Sequence, residues 1–312
     1  MVACIRSQAG GIALEGRRLH GTVSVLIVGK GGTLGAALAE RLRADAIELR
    51  AATKLTDDRL AKADVVVNAS GPRVRPGLQW GDYFREHVGV TSTIVRAMRP
   101  GAHLVHISST AVFGARGTRL STSDAEAPTL FPSAAYACAK LAAEMAARAI
   151  ARERKVRITV LRPTMVYGPG VDSALDSIRR LGRRGICLRL RPARGRQHLV
   201  HMDLFVEAVL RATETLPRDD ERVLIVADPF VIENAQLDVL RGLPVNIYLG
   251  VARGLHAVAA KLGTSSPLTV GALAILGIDN EFDWRPAFDE LGIDVSRFAR
   301  EKTFAPYWGD GS

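Results

Sequence analysis

A short apolar run followed at once by regularly spaced glycines is the feature that most constrains this fold. The run is Val23-Ser-Val-Leu-Ile-Val28, and Gly29-Lys-Gly-Gly32-Thr-Leu-Gly35 follows it. Such a run predicts a buried parallel strand, and Gly32–Arg43 predicts a helix directly after it. Gly29 then permits a tight turn, Gly32 lets the backbone approach a pyrophosphate, and Gly35 lets the helix pack closely on the sheet. The helix N-terminus faces the phosphate charge.

Strands and helices alternate along the first half of the chain. Further strands are predicted at Ala46–Leu49, Asp64–Asn68, Ala102–Ile107 and Val156–Leu161, and helices at residues 80–98 and Ser133–Arg152. This alternation predicts an α/β fold with a right-handed, doubly wound parallel sheet. The link between the second and third strands is too short for a full crossover helix, so we expect a loop or a single turn there.

The second half is less regular and predicts a small C-terminal lobe. Its expected elements are helices at Asp203–Thr213, Ile232–Leu240 and Gly250–Leu262 and a strand at Val223–Ala227. We therefore divide the chain into an extension (1–22), a dinucleotide-binding domain with the catalytic residues (23–165), and a region that is mainly a substrate-binding lobe (166–312). Some segments of this last region are expected to return to the sheet.

The end of the second strand bears on the choice of cofactor. An acidic side chain there would bind the adenosine ribose hydroxyls of NAD, whereas an arginine would favour the extra phosphate of NADP. Leu49 is followed by Arg50, Lys54 lies nearby, and no acid occurs between Arg50 and Asp57. The sequence therefore favours NADP, with NAD as the alternative.

Tyr136 and Lys140 lie four residues apart on a predicted helix, so both project from one face. A phenol with a pKa of about 10 is a poor acid–base group at neutral pH. A nearby lysine ammonium stabilises the phenolate and lowers that pKa. Ser109, in the run Ser108-Ser109-Thr110, would hydrogen-bond a substrate oxygen and orient it towards the tyrosine.

Four motifs together resemble the extended short-chain dehydrogenase/reductase family, in its NAD(P)-dependent nucleotide-sugar epimerase/dehydratase branch. They are Gly29-x-x-Gly32-x-x-Gly35, Ser108-Ser109-Thr110-x-Val112-Phe113-Gly114, Tyr136-x-x-x-Lys140 and Arg162-Pro163-x-x-Val166-Tyr167-Gly168-Pro169-Gly170. The resemblance covers residues 23 to about 295 and implies a Rossmann fold.

The resemblance assigns roles to individual residues. It implies Tyr136 as the acid–base, Lys140 as its partner, and Ser109 as the orienting hydroxyl, with Thr110 as the alternative. The implied cofactor contacts are Gly29, Gly31, Gly32, Thr33, Leu34, Gly35, Arg50, Asn68, Ala69, Lys140 and Pro163. The implied substrate contacts are Ser109, Tyr167 and Arg196, since Arg196-Gln-His-Leu-Val-His-Met-Asp203 resembles the segment in which an arginine meets the nucleotide diphosphate.

Two positions depart from the family pattern. Thr110-Ala111 follow Ser109 where the dehydratases carry Asp-Glu, which argues against dehydration. His87-Val-Gly-Val-Thr91 stands where the family usually has Asn-Val-x-Gly-Thr. A role assigned to that asparagine therefore does not carry over directly.

These observations predict an oxidoreductase that acts on a nucleotide-activated sugar, with reduction of a 4-keto sugar as the leading reaction. The alternatives are a C-4 epimerase with tightly held NAD, a hydroxysteroid-like alcohol dehydrogenase, and a non-catalytic dinucleotide-binding protein. The basic Arg50 favours the reductase, and the basic segment around Arg196 argues against a hydrophobic alcohol.

Charge and cysteine content narrow the range of partners. The net charge is +10, and much of the excess lies in Ile178–Arg196. This segment lacks the interleaved aromatics that stack bases, so no nucleic-acid partner is expected. No apolar run reaches the roughly 18 residues of a membrane helix, so no membrane partner is expected. Three scattered cysteines suit a reducing cytoplasm. We expect no metal site, and a homodimer is a further expectation.

Overall fold

The computed structural model describes residues 23–50, 58–73, 78–113, 135–171, 173–191, 195–233, 236, 243–248 and 279–308. The predicted extension at 1–22 and the predicted helix Gly250–Leu262 lie outside these residues. None of the helices in the described ranges combines the length and apolar character needed to cross a bilayer.

A six-stranded parallel sheet forms the centre of the fold. Its strands are β1 (Val25–Val28), β2 (Asp45–Ile47), β3 (Val65–Asn68), β4 (His103–Ile107), β5 (Arg157–Pro163) and β10 (Glu221–Val226). Their spatial order is β10-β5-β4-β3-β1-β2, and every neighbouring pair is parallel. The predicted doubly wound α/β fold is confirmed. The strand order reverses direction between β1 and β3. Open α/β sheets bind ligands at such a switch point, in the crevice outside the carboxyl ends of the strands.

Helices cover both faces of the sheet. They are α1 (Thr33–Leu42), α2 (Arg59–Lys62), α3 (Trp80–Phe84), a π-helical turn (Arg85–Gly89), α4 (Val90–Ala97) and α5 (Ala135–Arg154). The four-residue α2 is the single turn that we expected between the second and third strands. The helix predicted at residues 80–98 is interrupted by the π-helical turn.

The strands are buried on both faces because their alternate side chains enter two different cores. Val25 and Ile27 of β1 face a core shared with α1 and the later helix α7 (Met202–Glu214). Leu26 and Val28 face a second core, which is shared with α4 and α5. β-Branched residues suit such a sheet, since their stiff side chains pack well on a pleated surface.

The remaining elements build the C-terminal part of the chain. They are β6 (Met165–Tyr167), α6 (Ala174–Arg183), β7 (Ile186–Arg191), β8 (Arg196–Gln197), β9 (Leu199–His201), β11 (Ile232–Glu233), β12 (Leu243–Tyr248), α8 (Arg285–Leu291) and α9 (Arg300–Trp308). The helix predicted from Ile232 is wrong at its start, because Ile232–Glu233 pairs antiparallel with β8. Ser173 and Asp176 form a capping box that begins α6, and Gly292 ends α8 in the left-handed conformation.

Candidate active site

The glycine-rich turn brings the loop after β1 against the loop after β3. Gly29 has a φ of +111°, and a Cβ atom at this position would lie 2.7 Å from the backbone carbon of Ala69. A Cβ atom on Gly35 would overlap the carbonyl oxygen of Gly29. Both positions therefore require glycine, for the turn and for the close approach of α1 to the sheet.

The N-terminus of α1 fits an anionic group. Gly31, Gly32 and Thr33 are exposed there, and Leu34 is partly buried. No side chain caps Gly32, and the first turn of α1 holds no acidic residue. The Gly31 N–H is bonded to Glu48 and the Gly32 N–H to the carbonyl oxygen of Gly29. The N–H groups of the first turn of α1 and the positive end of the helix dipole therefore remain to face a pyrophosphate.

Glu48 occupies the position after the second strand. The structure ends β2 at Ile47, two residues before the predicted end at Leu49. The Glu48 carboxylate accepts a hydrogen bond of 2.6 Å from the backbone N–H of Gly31 and pairs at 2.7 Å with Nε of Arg50. The sequence interpretation overlooked this acid, because it placed the strand end at Leu49 and considered only the residues from Arg50 onwards.

The polar groups of Asn68 are committed within the protein. Its Nδ2 atom donates to Oγ1 of Thr91 at 3.0 Å, and its Oδ1 atom accepts the backbone N–H of Ser70 at 3.0 Å. A further contact of 3.2 Å joins Nδ2 to Nδ1 of His106. Asn68 therefore shapes the loop after β3, in which the backbone of Ala69 lies beside Gly29. The cofactor contacts at Asn68 and Ala69 stay predictions.

Tyr136 and Lys140 of α5 both reach the carboxyl end of β4, where Tyr136 contacts Ser109 and Lys140 contacts Ile107, the last residue of the strand. Burial raises the pKa of Tyr136 to about 12, against the effect of a hydrogen bond with Ser109. Burial lowers the pKa of Lys140 to about 8, against the effect of the Glu144 carboxylate. Lys140 Nζ donates a hydrogen bond of 2.9 Å to the carbonyl oxygen of Ile107. The expected lowering of the tyrosine pKa by Lys140 is thus not seen in this arrangement, in which burial has the largest effect.

The structure also distinguishes Ser109 from Thr110. Ser109 is the hydroxyl that contacts Tyr136. The Thr110 hydroxyl donates at 3.3 Å to the carbonyl oxygen of Pro163, the last residue of β5. The contact with Tyr136 thus favours Ser109 over Thr110 as the predicted orienting hydroxyl, while Thr110 links the segment after β4 to the end of β5.

A buried ion pair that the sequence interpretation missed lies behind this site. Arg162 of β5 contacts both carboxylate oxygens of Glu144, and each side chain is 1% exposed. The Arg162 guanidinium also lies over the ring of Phe113, 5.3 Å from its centroid. Glu144 follows Lys140 by four residues on α5, and this spacing could have indicated an acid beside Lys140 but not its pairing with Arg162.

Tyr167 and Arg196 differ from their expected surroundings. Tyr167 is fully buried and donates at 2.8 Å to Oδ2 of Asp228, so its hydroxyl supports the C-terminal core instead of meeting a substrate as we expected. The Arg196 side chain is 49% exposed and pairs at 2.7 Å with Glu281. A diphosphate at Arg196 would therefore compete with this carboxylate.

The comparisons with known proteins agree with this fold. A sequence model of the NAD dependent epimerase/dehydratase family matches residues 25–227, more than half of the chain. The chain therefore belongs to this family, and the predicted resemblance to the epimerase/dehydratase branch is confirmed.

Two curated proteins are similar in sequence over part of their length. UDP-glucose 4-epimerase of Vibrio cholerae is 28% identical over 107 residues, which span 34% of this chain and 32% of that protein. Spore coat polysaccharide biosynthesis protein SpsK of Bacillus subtilis (strain 168) is 28% identical over 172 residues, which span 50% of this chain and 58% of that protein. The matches thus cover less than two thirds of either relative.

Solved structures share the fold at low sequence identity. MoeE5 in complex with UDP-glucuronic acid and NAD has a TM-score of 0.67 and 21% identity, covering 91% of this chain and 98% of that one. UDP-glucuronic acid 4-epimerase from Bacillus cereus in complex with NAD has a TM-score of 0.65 and 16% identity, covering 87% and 93%. Human epimerase family protein SDR39U1 (isoform2) with NADPH has a TM-score of 0.67 and 15% identity, covering 90% and 97%.

Proposed function

We propose that this protein is an NAD-dependent C-4 epimerase of a nucleotide-activated sugar. The observation that supports hydride transfer at an alcohol carbon is the cluster of Tyr136, Ser109 and Lys140 at the carboxyl edge of the sheet, and the position of Glu48 favours the epimerase over the reductase. The nucleotide-sugar class is supported by the family and by the substrates that the similar structures contain.

The position of Glu48 supports NAD as the cofactor. An acid about 20 residues after the first glycine of the pattern binds the adenosine ribose hydroxyls in NAD-dependent Rossmann domains. Glu48 lies at this distance, directly after β2 and against the glycine-rich loop. Its negative charge would repel the ribose phosphate of NADP. The leaning towards NADP and a reductase depended on Arg50, whose guanidinium is paired with Glu48.

The chain's own residues provide proton transfer and orientation. A bound nicotinamide dinucleotide would supply the acceptor and donor of the hydride. The raised pKa of Tyr136 keeps its phenol protonated at neutral pH, the form that donates a proton to an alkoxide. The oxidative direction needs the phenolate, which the charge of Lys140, one helical turn away, would favour against the larger effect of burial. Ser109 would hydrogen-bond the same substrate oxygen, and the first turn of α1 would hold the pyrophosphate.

A second candidate is an NADPH-dependent reductase of a 4-keto nucleotide sugar. It is favoured by Arg50, which could turn from Glu48 to a ribose phosphate. The same catalytic cluster would serve both reactions, so the cofactor and the net redox change distinguish them.

Purified protein incubated with a panel of nucleotide sugars tests the proposal. An epimerase interconverts the C-4 epimers with catalytic NAD and no net change in cofactor absorbance. A reductase consumes NADPH in proportion to product. The proposal fails if no nucleotide sugar is converted while a neutral alcohol is oxidised, and Tyr136→Phe serves as the inactive control.

A further inference from the structure

Two stacked rings form a wall beside the catalytic tyrosine. The rings of Tyr83 and His87 are parallel within 2°, with their centroids 6.3 Å apart. Both stand nearly perpendicular to the ring of Tyr136, at 79° and 77°, with centroid distances of 6.1 Å and 5.6 Å. Perpendicular aromatic pairs at such distances are attractive beyond their buried area. The wall therefore limits how the Tyr136 ring can tilt.

His87 is held in this place from its other side. Its Nε2 atom donates a hydrogen bond of 3.0 Å to the carbonyl oxygen of Pro72, in the loop after β3. Gly71 has a φ of +97°, and a Cβ atom there would overlap the imidazole ring. The loop after β3 thus accommodates a ring at position 87 and fixes its plane through one hydrogen bond.

The local backbone explains how His87 reaches both partners. His87 is the central residue of the π-helical turn Arg85–Gly89, which follows α3 directly. Such turns are frequent at functional sites, where they displace a side chain from its regular helical position. Here the turn lies between Tyr83 and α4, and its histidine is 2% exposed. Burial and the charge of Lys140 lower the pKa of His87 to about 3, so the imidazole is neutral.

From this geometry we propose that His87 is a positioning residue for Tyr136. Its ring, backed by Tyr83 and anchored to Pro72, holds the phenol in the orientation from which it exchanges a proton with the substrate oxygen. A neutral imidazole suits this function, because it adds no charge beside Lys140. The proposal rests on the proposed acid–base role of Tyr136.

Two substitutions distinguish the effect of the His87 ring from the effect of its hydrogen bond to Pro72. His87→Phe keeps a flat ring against Tyr83 and Tyr136 and loses the N–H donor. His87→Gln keeps an N–H donor and loses the ring. His103→Gln is the matched control, since His103 is also buried and hydrogen-bonded, to Thr159 at 2.9 Å, but lies at the opposite end of the sheet.

Fluorine NMR reads the position of Tyr136 without any substrate. Protein labelled with 3-fluorotyrosine carries five labelled tyrosines, and Tyr136→Phe identifies the signal of interest. We expect His87→Gln to shift and broaden this signal, whereas His87→Phe keeps it narrow and His103→Gln leaves it unchanged. If His87→Gln does not fold, Tyr83→Leu removes the other ring of the wall and carries the same expectation.

Kinetics with a nucleotide sugar provide the second readout. Misplacing a reacting group by about 1 Å costs up to about a hundredfold in rate, so His87→Gln should lower kcat by about tenfold or more. KM should stay within about twofold, since the lost interaction affects orientation and not substrate binding. His87→Phe should recover most of kcat. If His87 had only a structural role, both variants would lose stability, and kcat would not fall in His87→Gln alone.

Three outcomes decide the matter. A narrow, unshifted Tyr136 signal and an unchanged kcat in His87→Gln overturn the proposal. Equal losses in His87→Phe and His87→Gln overturn it as well, because the hydrogen bond and not the ring would then be responsible. If wild-type protein converts no nucleotide sugar, the proposed function fails, while the fluorine spectra still decide whether His87 positions Tyr136.

Discussion

The carboxylate of Glu48 lies against the glycine-rich loop, where it accepts a hydrogen bond of 2.6 Å from the backbone N–H of Gly31. This contact places a negative charge beside the loop that would hold the dinucleotide. A ribose with two free hydroxyls can donate to this carboxylate, whereas a ribose phosphate meets repulsion. We therefore expect the cofactor preference to depend on Glu48 and on the guanidinium of Arg50 paired with it.

We expect the wild-type protein to bind NAD more tightly than NADP, and Glu48→Gln to narrow the difference. Hydrogen bonds to a charged group contribute about 1.5–3 kcal/mol, or roughly tenfold to a hundredfold in affinity. Titration of each cofactor, followed by tyrosine and tryptophan fluorescence, measures both affinities. Asp45→Asn, an exposed change at the start of β2, is the control. Tighter binding of NADP by the wild type would indicate that Arg50 determines the cofactor preference, and it would favour the reductase over the epimerase.

Tyr136→Phe should abolish turnover and leave cofactor binding intact. General acid–base groups contribute on the order of 10² to 10⁴ in rate, and this phenol is the proposed proton donor. Tyr248→Phe, which changes an exposed tyrosine on β12, should leave the rate unchanged. Near-wild-type activity in Tyr136→Phe would remove the phenol from the mechanism.

The sequence alone predicts those parts of the site whose residues lie close together along the chain. The glycine turn follows its strand directly, and Tyr136 and Lys140 are one helical turn apart, so periodicity alone places them. The parallel sheet follows from the alternation of apolar runs and helices. Ser109 was predicted from its run of hydroxyl residues and from the resemblance, and its contact with Tyr136 joins the segment after β4 to the start of α5.

The parts that could not be predicted depend on tertiary contacts. Glu48 was overlooked because β2 ends two residues earlier than its hydrophobic pattern suggests. The break in the helix at residues 80–98 accompanies the contact of His87 with Tyr136, which no local pattern reveals. Arg162 and Glu144 are 18 positions apart on different elements, and only the packed structure makes them a pair.

Glu144→Gln should destabilise the protein markedly. Removing one partner of a buried ion pair leaves the other charge uncompensated, which costs about 3–5 kcal/mol in free energy of unfolding. Denaturant unfolding measures this loss, and Glu153→Gln, an exposed change on the same helix, is the control. A loss below about 1 kcal/mol would show that Arg162 finds a different partner or solvent.

Asp228 should make stability fall as pH rises towards neutrality. Burial raises its pKa from 3.8 to about 7, so between these values the folded protein keeps a proton that the unfolded chain has lost. The contribution is fully present below about pH 4 and is lost as pH rises through about 7, at up to about 1.4 kcal/mol per pH unit. Urea unfolding measures the free energy of unfolding of the wild type and of Asp228→Asn across this pH range. The difference between the two proteins removes the effects of other titrating groups, since both proteins share them. Parallel stability curves would contradict the raised pKa.

Arg196→Ala should raise KM for a nucleotide sugar with less effect on cofactor affinity. The proposed contact is to the diphosphate, remote from the transferred hydride, so the interaction is largely equal in ground and transition states. Glu281 already pairs with Arg196, and Glu281→Gln should therefore lower KM by releasing the guanidinium.

Both variants need the same ionic strength as the wild type, since exposed charges are screened by salt. Arg184→Ala, an exposed change just after α6, controls for a general loss of positive charge. Opposite shifts in KM for Arg196→Ala and Glu281→Gln, with Arg184→Ala unchanged, would identify Arg196 as the diphosphate contact. If KM is the same in all three variants and a neutral, phosphate-free alcohol is the better substrate, the nucleotide-sugar assignment fails and a hydrophobic-alcohol dehydrogenase takes its place.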